Sequence, residues 1–160
     1  MGFLKCILYS ALIGFLSFFL GRFLPKAWFH EEQFPYAAWT WEKGGRIYND
    51  LFRIRKWQSK VPDMSRILPG FMQPKKVTEH FTEELPAMIK ETCIAEFIHA
   101  ALCLCSLPCL RLWPGWGGIL FTFLYIVLGN LPFILIQRYN RPRFIKLQHK
   151  LAGSAGGKEN

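Results

Sequence analysis

Two stretches of this chain carry side chains whose types and spacing could do chemistry. One is Glu91-Thr-Cys-Ile-Ala-Glu96-Phe-Ile-His99; the other is Asn130-Leu-Pro132 running into Gln137-Arg-Tyr-Asn-Arg-Pro-Arg143. Both lie in or beside runs apolar enough for a bilayer, where a charged side chain costs about 3 kcal/mol or more unless it is partnered. Glu96 and His99 are three residues apart, so on a helix they share a face and can touch. A carboxylate that accepts an imidazole N–H fixes the ring's tautomer and raises the basicity of its other nitrogen. A general base needs that arrangement to deprotonate a hydroxyl. The same spacing suits a structural pair that bonds a neighbouring helix, and it is half of a di-iron carboxylate motif. The metal reading lacks its second half, because the residues three before His30, His80 and His149 are Ala27, Val77 and Lys146.

Pro132 has no N–H and frees the carbonyl of Leu128. Asn130 can bond that backbone or an opposing helix such as the one carrying His99, as structural glue or as an amide that stabilises an oxyanion. Arg138, Asn140, Arg141 and Arg143, stiffened by Pro142, follow immediately. Arginines at this position anchor a helix end to headgroups. With Arg53, Arg55 and Lys56 they could instead clamp phosphates bidentately, as on a coenzyme A thioester or a phospholipid donor.

The elements that must position these groups follow from composition. The 160 residues are 51% apolar and 16% aromatic, with a mean hydropathy of +0.15, values that suit a small polytopic membrane protein. The 20 Lys and Arg against 11 Asp and Glu come without finger spacing or a basic stripe of soluble-helix period, which argues for lipid headgroups over nucleic acid. Cys6, Cys93, Cys103, Cys105 and Cys109 all fall in or beside apolar runs without metal-ligand spacing and read as packing residues. Residues 3–24 form an uncleaved first transmembrane helix, since Gly21-Arg-Phe-Leu-Pro25 offers no cleavage site. Phe34 to Trp41 is an aromatic belt. Over residues 46–60, Ile47, Leu51 and Ile54 recur at i, i+4, i+7 opposite Arg46, Arg53, Lys56 and Lys60, which predicts an interfacial amphipathic helix ended by Pro62. Pro69-Gly70 reads as a turn and Thr82-Glu-Glu as a helix start. Residues 87–110 and 118–136 are the second and third transmembrane helices, joined by a Pro114 to Gly118 turn, and 151–160 reads as a disordered tail. The expected fold is therefore an all-α integral membrane protein of about three transmembrane helices plus one interfacial helix, in a single domain over 1–150.

Charge sets the expected orientation. Twelve Lys and Arg lie between Arg22 and Lys90 and six from Arg138 onward, so all but two fall in the long loop and the tail. The positive-inside rule puts both of these in the cytoplasm and the N-terminus outside. Three helices are too few to enclose two lipids, which points to a homodimer or to a loop partly embedded in the membrane.

At these residues the chain resembles the glycosyl-4,4′-diaponeurosporenoate acyltransferases, small bacterial membrane enzymes of carotenoid biosynthesis. Three blocks carry the likeness: Phe52-Arg-Ile-Arg-Lys-Trp57 with Lys60 and Asp63; Glu91-Thr92 leading to Ala95-Glu96-Phe-Ile-His99; and Asn130, Pro132 with Gln137 to Arg143. The resemblance implies transfer of a fatty acyl group onto the sugar hydroxyl of a glycosylated carotenoid in staphyloxanthin-type pigment synthesis, in a bacterial cell membrane. It implies no cofactor beyond an acyl donor such as acyl-CoA. It hands over no catalytic residues; on their spacing alone, Glu96 and His99 are the candidate catalytic pair. Trp57, Glu91, Asn130 and Gln137 would join the arginines in binding the donor and the lipid-linked sugar. Another glycolipid acceptor, or a non-enzymatic adaptor binding anionic lipid, remains a rival reading. The soluble acyltransferase pattern of His, four residues, then Asp is absent: Pro35, Leu85, Leu104 and Ser154 occupy the fifth position after each histidine.

Overall fold

A computed structural model describes residues 1–61 and 81–156. The Pro62 stop, Asp63, the Pro69-Gly70 turn and His80 lie outside the described residues, as do residues 157–160. Three helices are long and apolar enough to cross a membrane: Gly2–Phe23, Glu83–Leu112 and Trp116–Gly153. Among the described residues there is no strand.

Helix α1 (Gly2–Phe23) is apolar all round and buries only Cys6, leaving Phe3, Leu8 and Phe15 facing outward as lipid-exposed residues do. It stops at Leu24, whose extended backbone is what a following proline enforces. Two short helices, α2 (Arg46–Phe52) and α3 (Ile54–Trp57), replace the single interfacial helix expected over 46–60. The break is at Arg53, which adopts left-handed φ 52. It is held there by the Asn49 side chain, which accepts from the Arg55 amide at 3.1 Å, and by the Trp57 indole N–H on the Phe52 carbonyl at 2.7 Å. The break turns Leu51 outward, while Ile54 is buried as its place in the pattern predicted and Tyr48 joins it.

Helix α4 (Phe81–Cys105) and the single turn α5 (Cys109–Leu112) form the second span. The Tyr9 hydroxyl of α1 closes its end by donating to the Cys105 carbonyl at 2.9 Å. The turn after it depends on glycines: a Cβ on Gly117 would come within 2.1 Å of the Trp113 ring. The third span is one rod in three parts: α6 (Trp116–Leu124), a π-helical stretch (Tyr125–Asn130) and α7 (Leu131–Gly156). Residues 151–156, expected to be disordered, continue α7, because adding a residue to an existing helix avoids the cost of nucleation.

Pro142 lies inside α7 and deprives the Arg138 carbonyl of its usual donor. Gly45 packs against that gap. It has φ +81, and a Cβ there would sit 3.0 Å from the Tyr139 carbonyl oxygen and 3.1 Å from that of Arg138. Gly45→Ala is therefore expected to lower stability by about 2 kcal/mol, from left-handed strain and crowding together. Gly44→Ala, at φ +65 but in open space, should lose only the strain. Thermal unfolding of the two variants in detergent compares them.

Candidate functional site

Helix α7 presents Arg138 and Arg141 on one face, three residues apart, and α4 presents Thr92 and Glu96 on one face, four apart. Where the two helices pack, these residues form a buried charged hub. Arg138 Nη1 donates to Glu96 Oε1 at 2.7 Å and Nε donates to Glu42 Oε1 at 2.6 Å. Its fork also reaches the Pro35 carbonyl at 2.9 Å. Arg141 Nη2 pairs with the other Glu96 oxygen, Nε donates to Thr92 Oγ1 at 2.9 Å, and Nη1 donates to the Tyr36 carbonyl at 2.7 Å. Two carboxylates therefore balance two guanidinium groups, with the remaining donors satisfied by backbone carbonyls and the Thr92 hydroxyl. This is the condition under which buried ions are tolerated. Tyr48 donates to Glu42, and burial together with that bond pushes its hydroxyl up to about 12, so it stays a donor at any physiological pH. The hub pins the aromatic segment before α2 onto the second and third spans, with Trp39 lying over the Arg138 guanidinium and Tyr36 over that of Arg141.

This geometry corrects two expectations. Glu96 spends both carboxylate oxygens on arginine, so it does not orient His99. Arg141 is 2% exposed and Arg138 is engaged on all three nitrogens, so neither presents a face to a phosphate. Each Glu96 oxygen takes a charge-assisted bond from a different, permanently charged guanidinium, which a neutral imidazole cannot match.

His99 has another partner. Its Nδ1 lies 3.0 Å from Asn130 Oδ1, the inter-helix contact foreseen for Asn130. The Asn130 amide N–H donates to the Tyr125 carbonyl at 3.0 Å, within the π-helical stretch. A backbone carbonyl can only accept, so that bond fixes which end of the amide is nitrogen. The end facing His99 is then an oxygen, which also only accepts. Nδ1 must therefore carry the proton, and the lone pair of the neutral ring is on Nε2. The imidazole is further held by Phe133, whose ring stacks on it at 4.5 Å and 7°. Phe133 also lines an open groove of about 480 Å³ bounded by Trp57, Lys60, Val61, Leu128 and Pro132.

The other predicted residues are scattered around this centre. Asn140 donates to Gln58 at 3.2 Å, tying α7 to the turn after α3. Glu91 pairs with Lys26 at 3.0 Å on a half-exposed surface, a contact worth little. Arg143 is exposed and lies 3.7 Å over the Tyr139 ring. Gln137 is half-buried, and Arg53, Arg55 and Lys56 are exposed on the short interfacial helices. Glu42 and Tyr48 belong to the hub without having been singled out from sequence, and Thr92 was named only as part of the block running to His99. Glu42 was the detectable one: an acid at the end of an aromatic run, opposite a chain rich in arginine. Among the described residues, no three His, Cys, Asp or Glu side chains gather closely enough to hold a metal ion.

Together these features define a helical, membrane-spanning protein with an oriented imidazole stacked on a ring that lines an open, mostly apolar groove. Comparison with known proteins makes the class specific: the chain belongs to the glycosyl-4,4'-diaponeurosporenoate acyltransferase family, whose family model matches residues 25–150. Proteins of that name from Staphylococcus aureus strains N315 and NCTC 8325 are 29% identical over 143 residues, covering 89% of this chain and 85% of theirs. That of strain bovine RF122 / ET3-1 is 28% identical over the same extent. No solved structure matches the chain. The resemblance carried by the three sequence blocks thus holds, and the family is one of acyltransferases.

Proposed function

We propose that this protein moves a fatty acyl group from a thioester donor onto a sugar hydroxyl of a glycosylated C30 carotenoid, with the long loop and the tail on the cytoplasmic side. The family match over residues 25–150 carries this reading, and the His99–Asn130 pair supplies a means. His99 Nε2 takes the hydroxyl proton as the oxygen attacks the thioester carbonyl. The carbon–sulfur bond then breaks, and the imidazolium returns the proton to the departing thiolate, so no acyl-enzyme is needed. Asn130 holds Nδ1–H throughout and favours the imidazolium as it forms, as the orienting partner does in other base dyads. The placement of nearly all cations in the loop and tail supports the cytoplasmic orientation.

Lipid extracts from cells expressing the protein, compared by mass spectrometry with those from cells lacking it, test the activity. The expected difference is a carotenoid glycoside heavier by one fatty acyl group. An acyl group appearing on another glycolipid would reassign the acceptor, and identical extracts would remove acyl transfer altogether.

A further inference from the structure

The groove lined by Phe133, the ring that stacks on His99, has walls from two parts of the chain. Trp57, Lys60 and Val61 come from the interfacial segment, and Leu128, Pro132 and Phe133 from the third span. Its lining is apolar except at Lys60, and the segment that supplies Lys60 also exposes Arg55 and Lys56. The Trp57 wall is fixed by its indole bond to the Phe52 carbonyl. Leu128, 67% exposed, forms an open lip toward lipid. The groove is open along one side, so it can hold part of an apolar chain against protein while the rest stays in lipid.

From this geometry we infer that the groove seats the acyl chain of the thioester donor, with the donor's phosphates on Lys60, Lys56 and Arg55 and its thioester beside His99. The inference rests on the acyl-transfer reading and adds to it which substrate lies where. Charge decides between the two substrates. A sugar headgroup is uncharged and has nothing for a cationic rim to pair with, whereas a coenzyme A thioester carries several phosphates. Phe133 supplies the continuity, since it lines the groove and stacks on the base.

The test uses full-length protein in membranes and palmitoyl-CoA carrying a photoreactive group at the chain end. Irradiation should label the peptides holding residues 57–61 and 128–133, and unlabelled palmitoyl-CoA should suppress the label. Leu128→Trp, which shortens the groove, should shift the preference for palmitoyl over lauroyl thioester by about tenfold toward the shorter chain. Lys60→Ala should raise the KM for the thioester several-fold with little change in kcat. Labelling elsewhere, labelling that only a photoreactive phospholipid gives, or an unchanged chain-length preference in Leu128→Trp would overturn the assignment. In those outcomes wild-type turnover would still stand. Absence of turnover from every donor in the wild type would instead overturn acyl transfer itself.

Discussion

Replacing His99 by alanine is expected to lower acyl-ester formation by about 10²- to 10⁴-fold, the usual worth of a positioned general base, while the protein still inserts and accumulates. The ring is half-buried and, among the described residues, is held by Asn130 and a stacked phenyl face outside the charged hub, so its loss leaves the hub intact. Turnover of a glycosylated acceptor by membranes of matched protein content is the measurement. Activity within a few-fold of wild type would remove His99 from the chemistry. Asn130 is a positioning residue in this scheme. Asn130→Leu should lower kcat and leave KM nearly unchanged, because the base loses its fixed tautomer and not a substrate contact. Asn130→Asp, which can still accept from Nδ1–H, should recover much of the loss. A purely structural asparagine would not be rescued in that pattern.

Glu96→Ala is expected to behave in the opposite way, as a stability lesion of about 3–5 kcal/mol, the typical cost of stranding a buried charge by removing its partner. Arg141 would keep only neutral acceptors in a site 2% exposed, and Arg138 would lose one of its two carboxylates. Thermal unfolding in detergent should fall sharply. Any protein that still folds should retain turnover per folded molecule. The double variant Glu96→Leu with Arg141→Met should recover part of the stability, since an apolar pair of similar volume often replaces a buried ion pair at little cost. Normal stability in Glu96→Ala with abolished turnover would reverse these assignments and return Glu96 to catalysis.

The three spans were legible because a long apolar run is a local property, and helix length follows from it directly. The partner of Glu96 was not legible for the opposite reason. A spacing of three tells which residues can meet on one helix, but nothing about a competitor on another. Arg138 and Arg141 outbid His99 only once α7 is laid against α4. His99 and Asn130 could each be singled out as polar residues in apolar helices. The π-helical stretch that orients the amide has no sequence mark beyond Asn130-x-Pro132. The interfacial helix breaks at Arg53 without a glycine or proline, because the Asn49 side chain offers the backbone a turn in place of another helical bond. Period alone could not anticipate that.

The hub has a consequence for how the chain is made. Glu42 and Glu96 leave the ribosome before either arginine, and Arg138 trails Glu96 by 42 positions. At about 5–20 residues per second Glu96 waits roughly 2–8 seconds for Arg138, and Glu42, 96 positions ahead of that arginine, roughly 5–19 seconds. The first two spans therefore cannot finish assembling as they emerge, and the docking of Trp39 and Glu42 must follow arrival of the C-terminal third. A chain interrupted before Arg138 would hold both acids without the arginines that pair with them in the finished fold.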